Sequence, residues 1–181
     1  ADLTVIDQLK GEIASIETGG KESAFRPKQQ KRETGRSAFD KIVALLNASD
    51  RSEKTLRERL EKAGFPESEI DEAVDRAKQC GILDDLRFAD ALIRSRLRQG
   101  RGAAGIEREL RNQNIDIDLV AGWPHDFDVD DESEYQRALD FLNEHPSRSK
   151  NRRDGAYRKL IQKGFASSIA SSAARTWAES F

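Results

Sequence analysis

The arginines and lysines of this sequence are the residues whose spacing points to a chemical role, and that role is the binding of anionic groups. Residues 87–111 hold seven arginines against three acidic residues, and residues 148–163 hold seven basic residues against one acid. Arg87, Arg94 and Arg98 are seven and four residues apart, a spacing that places them on one face of a helix. Basic clusters with few compensating acids are typical of surfaces that bind a polyanion or an acidic protein, and a solvated helix face is the alternative interpretation.

Two cationic patches are therefore predicted. The first cationic patch has six residues: Arg87, Arg94, Arg98, Arg101, Arg108 and Arg111. The second cationic patch has four residues: Arg148, Lys150, Arg152 and Arg153. Arg96 differs from them, because its helical position lies between Leu92 and Ile93 on the apolar side. A charge there needs a carboxylate partner, so we predict an ion pair between Arg96 and a neighbouring helix, with an acid near Asp84 or Asp85 as the candidate.

Residues able to carry out catalysis are not grouped in this sequence. It has no glycine-rich loop for a nucleotide phosphate and no dinucleotide-binding fingerprint. His125 and His145 are isolated next to prolines, without a second histidine or a cysteine at the spacing of a metal site. Cys80 precedes Gly81 at a predicted helix end, where we expect it to pack half-buried rather than to act as a nucleophile. We therefore predict a protein that is not an enzyme and that uses no metal and no cofactor.

The composition favours a highly charged helical protein whose basic character is local. Of the 181 residues, 35% are charged and 36% are hydrophobic, and the mean hydropathy is -0.76. The formal net charge of -2 argues against a protein that binds nucleic acid with its whole surface. A single cysteine excludes an internal disulfide, and the sequence has neither a signal pattern nor an apolar run long enough to span a membrane. We therefore expect a cytoplasmic protein without membrane contacts.

An internal repeat organises the chain. A helix that ends in glycine or asparagine, followed by an apolar residue, is predicted three times, at Gly64-Phe65, Asn114-Ile115 and Gly164-Phe165. Apolar residues stand four and eight positions before each of these stops, and the stops follow one another at intervals of 50 residues. Glycine and asparagine readily adopt the left-handed conformation that ends a helix. Internal periods of this length predict a repeat protein.

The predicted fold class is all-α, an elongated array of three tandem three-helix repeats. Ser52 and Ser133 are the expected N-caps of helices in the first and third repeats. In the second repeat we expect the third helix to be short, around Ile117, Leu119 and Val120. The expected boundaries are a flexible arm over residues 1–36, repeats over residues 37–82, 83–124 and 133–181, and an acidic linker over residues 125–132.

Three runs in the second repeat form a recognisable signature. They are LDDLRFA at residues 83–89, LIRSRLRQG at residues 92–100, and Gly102 followed by IEREL at residues 106–110. Together these runs resemble the central signature of the RecX regulatory proteins, and the pattern over residues 51–65 is similar to the first repeat of that family. The resemblance covers residues 38–121 and, less closely, the third repeat. Gly105, Asn114 and the length of the acidic segment depart from the family pattern.

The resemblance implies tandem three-helix repeats in a curved, elongated shape that bind the RecA recombinase filament along its groove. It further implies reduced RecA-driven DNA strand exchange and ATP hydrolysis, a role in DNA repair by homologous recombination and the SOS response, and weak DNA binding. The ten residues of the two cationic patches are then the candidate contacts with the filament, and we expect a monomer. Two alternatives stay open, a helical repeat protein that binds DNA directly and a helical scaffold for another protein.

Overall fold

The computed structural model describes residues 37–180, in which eight α-helices and two short 3₁₀ helices occur and no strand is present. The α-helices are α1 (Ala38–Ala48), α2 (Glu53–Lys62), α3 (Glu67–Gln79), α4 (Asp85–Arg98), α5 (Ala103–Asn112), α6 (Asp131–Glu144), α7 (Arg152–Lys163) and α8 (Ser167–Glu179). The prediction of an all-α fold is therefore confirmed. The arm predicted over residues 1–36 lies outside the described residues.

The first unit consists of α1, α2 and α3 around an apolar core of its own. Ile42, Leu60 and Val74 are fully buried there, one from each helix. Ser52 caps α2 with its hydroxyl group, as predicted. Cys80 follows the last residue of α3 and is exposed, so the predicted half-buried packing of this cysteine is wrong.

The second unit contains α4 and α5, but its third element is only a 3₁₀ helix of three residues, Ile117–Leu119. This is the short element that the sequence predicts. Ile106 and Leu110 of α5 are fully buried and pack with Ile93 of α4. Asn114 ends α5 in the left-handed conformation, with a φ of 61°, as the repeat pattern predicts.

The core of the second unit continues beyond the predicted boundary at residue 124. Phe127, in the second 3₁₀ helix (His125–Phe127), is 5% exposed and belongs to the apolar core of α4 and α5. Residues 125–132 are therefore not a free linker, because the short third element leaves apolar surface that Phe127 covers. The N-cap of α6 is Asp130, whose carboxylate accepts a hydrogen bond from the N–H of Ser133. The prediction that Ser133 caps this helix is wrong, because the cap lies three residues earlier.

The third unit consists of α6, α7 and α8. Leu142 and Leu160 are fully buried in its core, and Trp177 is 3% exposed. Gly164 ends α7 in the left-handed conformation, with a φ of 98°, and Phe165 folds back onto the core. The described residues thus contain three helical units, each with a separate apolar core.

Polar contacts join the first unit to the second, and we call them the first joint. Asp85, at the start of α4, accepts a hydrogen bond of 2.8 Å from the N–H of Glu53, at the start of α2. The side-chain oxygen of Gln113, at the end of α5, accepts hydrogen bonds from the hydroxyl groups of Ser52 and Thr55. The side chains of Asp85 and Gln113 in the second unit therefore accept hydrogen bonds from the N–H and hydroxyl groups at the N-terminus of α2.

The second joint repeats this arrangement one unit further along the chain. Glu134 of α6 accepts a hydrogen bond of 3.0 Å from the N–H of Ala103, at the start of α5. The N–H of Gly105 donates a hydrogen bond of 2.7 Å to the carbonyl oxygen of Gly164, at the end of α7. A Cβ atom on Gly105 would lie 2.7 Å from the Cα atom of Gly164, so the absence of a side chain lets the two backbones touch.

Candidate binding surface

Arg87 of the first cationic patch ties the start of α4 to the end of α3. Its guanidinium donates hydrogen bonds of 3.3 and 3.2 Å to the carbonyl oxygens of Gly81 and Ile82. A carboxylate oxygen of Asp50 lies 3.9 Å away, and 51% of the Arg87 side chain is still exposed. Arg87 therefore has structural partners and also reaches the surface.

Arg94 has structural partners as well. Its guanidinium forms two hydrogen bonds, of 3.0 and 3.1 Å, to the carboxylate of Asp90 one turn earlier on α4. Hydrogen bonding to Asp90 raises the pKa of Arg94 above its ordinary value. The same guanidinium lies 4.5 Å from the centre of the Phe127 ring, a cation–π contact. Arg94 thus helps to hold Phe127 over the second core.

Arg96 makes an ion pair with a neighbouring helix, as predicted, but not with the expected acid. Its Nε and Nη2 atoms donate hydrogen bonds of 2.9 and 2.6 Å to the carboxylate of Glu109 on α5. The predicted pair with Asp84 or Asp85 is wrong, because Asp84 caps α4 and Asp85 belongs to the first joint. Hydrogen bonding from Arg96 lowers the pKa of Glu109. Arg101 is half-buried and lies 3.5 Å from the same carboxylate.

The other three arginines of the first cationic patch are available to a partner. Arg98, Arg108 and Arg111 are exposed, and none of them forms an ion pair within residues 37–180. Arg98 ends α4, whereas Arg108 and Arg111 lie on the outer side of α5. An exposed guanidinium without a carboxylate partner can donate charge-assisted hydrogen bonds to an external anion.

The second cationic patch gathers around the N-terminus of α7. Its four exposed members are Arg148, Lys150, Arg152 and Arg153. Arg148, Lys150 and Arg153 form no ion pair within the part of the chain that the structure describes. The partial positive charge of a helix N-terminus adds to these cations, so the local potential is positive.

Two of the exposed cations of the second unit have a basic residue at the matching position of the third unit. Arg98 and Arg148 are one repeat of 50 residues apart, and so are Arg108 and Arg158. One repeat before Arg108, the first unit carries Glu58 instead. The unpaired cations at these positions are therefore a property of the second and third units.

A groove in the second unit was not predicted from the sequence. Its volume is about 590 Å³, and its walls are Glu107 and Arg111 of α5 together with residues 114–118. The alternation of apolar and acidic residues over 114–118 is the signal that points to it, because Ile115 is buried whereas Asp116 and Asp118 are exposed. The groove lies beside the shortened third element of this unit.

The described range contains neither a metal-binding cluster nor a membrane-spanning helix. No three side chains of the types that bind metals lie close enough together within residues 37–180 to hold an ion. None of the helices in this range is both long and apolar enough to cross a bilayer. The cationic patches and the groove are thus the features of this surface that suggest binding.

Two family descriptions match the chain, and both fall on units that the structure separates. "RecX, first three-helix domain" matches residues 38–76, which cover α1, α2 and most of α3. "RecX, second three-helix domain" matches residues 84–121, which cover α4, α5 and the short third element. The two matches confirm tandem three-helix domains in this part of the chain.

Several relatives share the name "Regulatory protein RecX". The protein from Streptomyces coelicolor is 32% identical over 131 residues, which are 69% of this chain and 68% of that protein. The proteins from Legionella pneumophila and Haemophilus influenzae are 34% and 36% identical over 88 and 84 residues. These two matches cover 49% and 46% of this chain and 59% and 55% of those proteins, less than two thirds of their lengths.

Two solved structures share the fold. The crystal structure of RecX from Lactobacillus salivarius matches with a TM-score of 0.60 and 18% identity, over 78% of this chain and 95% of that one. A second crystal structure, of "regulatory protein RecX", matches with a TM-score of 0.59 and 20% identity, over 73% of this chain and 67% of that one. At these identities the likeness concerns the fold alone.

Proposed function

The chain belongs to the RecX family of regulatory proteins, and on this basis we propose that it binds the RecA recombinase filament and reduces its strand exchange and ATP hydrolysis. The observation that carries the proposal is that two successive units both carry exposed cations, with Arg98 and Arg148 at matching positions of the repeat. A partner that is itself a repeating polymer offers equivalent anionic groups at regular intervals. Two linked contacts to such a partner reinforce each other.

The mechanism in this proposal requires no reaction by the chain itself. Exposed Arg98 and Arg108 of the second unit and the second cationic patch of the third unit would contact acidic groups of the filament or phosphates of its DNA. A protein bound across neighbouring filament subunits resists the relative motions that ATP turnover needs. Strand exchange and ATP hydrolysis would then fall together.

A titration tests the proposal directly. Increasing amounts of the full chain are added to RecA on single-stranded DNA while the rate of ATP hydrolysis is followed. We expect the rate to fall with increasing concentration, and in parallel the yield of strand exchange. A recombinase whose ATP hydrolysis is unchanged by an excess of the chain would rule the proposal out.

Charge reversal tests the contacts separately from the fold. The double variant Arg98→Glu, Arg108→Glu should need about tenfold more protein for the same inhibition, because two exposed and unpaired cations are reversed. The matched control is Arg59→Glu, Lys62→Glu, which makes the same charge change at exposed positions of α2. Equal inhibition curves for the two double variants would exclude Arg98 and Arg108 as contacts. Arg94 is unsuitable for this test, since its reversal also breaks its contact with Phe127.

Direct binding to DNA is the second candidate, and the four cations around the N-terminus of α7 favour it. Fluorescence anisotropy of labelled single-stranded DNA, bare or coated with RecA, separates the two functions. If the chain binds the filament, its affinity for coated DNA exceeds that for bare DNA. Tighter binding to bare DNA, with a steep loss of affinity as salt is raised, would favour the second candidate.

A further inference from the structure

A loop replaces the last turn of the first helix in the third unit. In the second unit, α4 ends at Arg98, which matches Arg148 one repeat later. The corresponding helix of the third unit, α6, ends at Glu144, four residues or about one turn before that position. Pro146 stands in the missing turn, and proline disfavours a helical conformation at the residue before it. Residues 145–150 are therefore irregular, and we call them the terminal loop.

The terminal loop covers the start of α7. Gly155, in the first turn of α7, matches Gly105 of α5, and both glycines are buried. A Cβ atom on Gly105 would meet the backbone of Gly164, which belongs to the next unit. A Cβ atom on Gly155 would instead meet the hydroxyl oxygen of Ser147 and, at 2.6 Å, the Cβ atom of Ser149. The loop thus occupies over α7 the place that the next unit occupies over α5.

Lys159 of α7 fastens the terminal loop. Its ammonium group donates hydrogen bonds of 2.9 and 3.0 Å to the carbonyl oxygens of His145 and Pro146. One repeat earlier, the positions of the proline and the lysine are occupied by Arg96 and Glu109, whose ion pair joins α4 to α5. The two positions that connect helix to helix in the second unit therefore connect the loop to α7 in the third.

The second helix of each unit has a docking face at its start. The start of α2 receives the end of α5 in the first joint, and the start of α5 receives the end of α7 in the second joint. The start of α7 is the third face of this kind, and no further unit follows to dock on it within residues 37–180. The last face of a repeat array needs a cap, because it can otherwise bind a unit of another molecule.

The end of α2 in another copy of the chain matches this last face. Gly64 ends α2 with a φ of 87°, at the position of Gly164, and no unit precedes the first within residues 37–180. The second joint requires glycine on both sides, since a Cβ atom on Gly105 or on Gly164 would lie 2.7 Å from the Cα atom of the other. Gly155 and Gly64 supply such a pair between two copies. The negative end of the α2 dipole would also face the positive start of α7.

We propose that the terminal loop is a cap, which keeps the start of α7 from binding the end of α2 in a second copy of the chain. When the loop is displaced, copies join head to tail through a contact like the second joint. Such a contact uses two different surfaces, so further copies can add after the second. This cap is independent of the proposed function, because it concerns only contacts between copies of the chain.

Sedimentation velocity of the full chain tests the cap. Lys159→Ala removes both hydrogen bonds that fasten the loop. The double variant Pro146→Arg, Lys159→Glu gives the third unit the residue types that pair in the second, and so favours a longer α6. We expect the wild type to stay monomeric as its concentration is raised, and both variants to reach about twice the monomer mass or more. Circular dichroism establishes that both variants are folded.

A further substitution tests which surface the copies use. Gly155→Ala, added to the double variant, should restore the monomer, because the new methyl group blocks the approach of Gly64 from a second copy. Alanine forms helix better than glycine does, so α7 itself is not weakened once the loop is displaced. The matched control is Gln162→Ala, at an exposed position of the same helix, which should leave the association unchanged.

Three outcomes overturn the inference. One is a wild-type chain that associates as strongly as the two variants. Another is that both variants are folded and remain monomeric at the highest concentration. The last is an association that Gly155→Ala does not weaken more than Gln162→Ala does. Because these experiments contain no RecA, none of the three outcomes bears on the proposed function.

Discussion

The ion pair between Arg96 and Glu109 links α4 to α5 and makes their contact sensitive to pH. The two side chains are only 27% and 24% exposed. Because the hydrogen bonds from Arg96 lower the pKa of Glu109 below its ordinary value, the native state binds this proton less tightly than the unfolded chain does. The resulting stabilisation is fully present above the ordinary carboxyl pKa and is lost as the pH falls through the lowered, native pKa.

We predict that Glu109→Gln lowers the free energy of unfolding by about 1 kcal/mol near neutral pH, because Arg96 keeps a neutral acceptor in place of a charged one. Urea unfolding followed by circular dichroism measures this difference. It should shrink as the pH falls through the lowered, native pKa of Glu109, where the wild-type carboxylate becomes protonated. The control is Glu107→Gln on the same helix, where no ion pair is lost within the described residues. A difference that stays constant down to low pH contradicts the prediction.

Local spacing predicted what Arg96 needs but not which residue supplies it. The helical position of Arg96 between apolar residues was enough to predict a carboxylate partner. Asp84 and Asp85, the acids at the start of the same helix, are already engaged in a cap and in the first joint. Glu109 comes from the next helix, and its proximity depends on how α4 packs on α5, which a one-dimensional pattern does not contain. Ser52 was predicted correctly as a cap because that interaction is local.

Among the helices, the contact between α5 and the end of α7 depends on a backbone approach that a single carbon atom would block. A Cβ atom on Gly105 would lie 2.7 Å from the Cα atom of Gly164, and backbone atoms cannot rotate away. In an ordinary helix interior, replacing glycine by alanine stabilises by up to about 1 kcal/mol. Whether Gly105→Ala stabilises or destabilises the protein therefore shows whether the second joint needs the glycine.

We predict that Gly105→Ala destabilises the protein by about 1–3 kcal/mol, because the added methyl group separates the second and third units. Urea unfolding gives the magnitude, and faster hydrogen exchange at the amides of Ala103 and Gly105 locates the change. Gly155→Ala is the control at the matching position one repeat later. The added carbon there meets the hydroxyl of Ser147, which can rotate, and the Cβ atom of Ser149 at 2.6 Å, so the loop over residues 147–149 has to shift. Because that loop belongs to neither joint, the exchange of the Ala103 and Gly105 amides should stay as in the wild type. A stabilised Gly105→Ala variant would show that the joint does not need the glycine.

Helices were predictable where their signals are local and less so where they depend on a neighbouring unit. The 50-residue spacing located the ends of α2, α5 and α7 through Gly64, Asn114 and Gly164. The core role of Phe127 was missed, because this single apolar residue stands in an acidic segment without helical periodicity. The role of Gly105 was missed because its contact lies in another unit.

For the molecule as a whole, three apolar cores connected through polar joints predict partly independent unfolding. We expect Leu60→Ala, in the core of the first unit, to cost about 2–5 kcal/mol locally, because Leu60 is fully buried. Native-state hydrogen exchange should then accelerate in α1, α2 and α3 and stay unchanged in α6, α7 and α8.

Leu160→Ala is the matched control, since it stands 100 residues later at the same position of the third unit and is equally buried. It should give the opposite pattern, with faster exchange in α6, α7 and α8. Acceleration of the same size in all units, for either variant, would show that the chain unfolds as one cooperative block.

Charge counts predicted where the cationic patches lie along the chain. They did not predict which of the patch side chains are exposed and without an ion pair within residues 37–180. Counting placed six candidate contacts in the second repeat and four in the third. Only the packing distinguishes Arg94, which is bound to Asp90 and lies on Phe127, from Arg98, which is exposed and unpaired within residues 37–180. Charge composition gives the number of candidates, whereas the partners of each side chain depend on the tertiary fold.

The close approach of Gly105 and Gly164 also decides which neighbour a unit accepts. Thr55 stands at the position of Gly105 one repeat earlier, and its hydroxyl group bonds to Gln113. A third unit cannot dock on a first unit in the same way, because the β-carbon of Thr55 would collide with the backbone at Gly164. A third unit is thereby directed to a second unit and kept off a first unit, and the side chain that discourages this mispairing is that of Thr55.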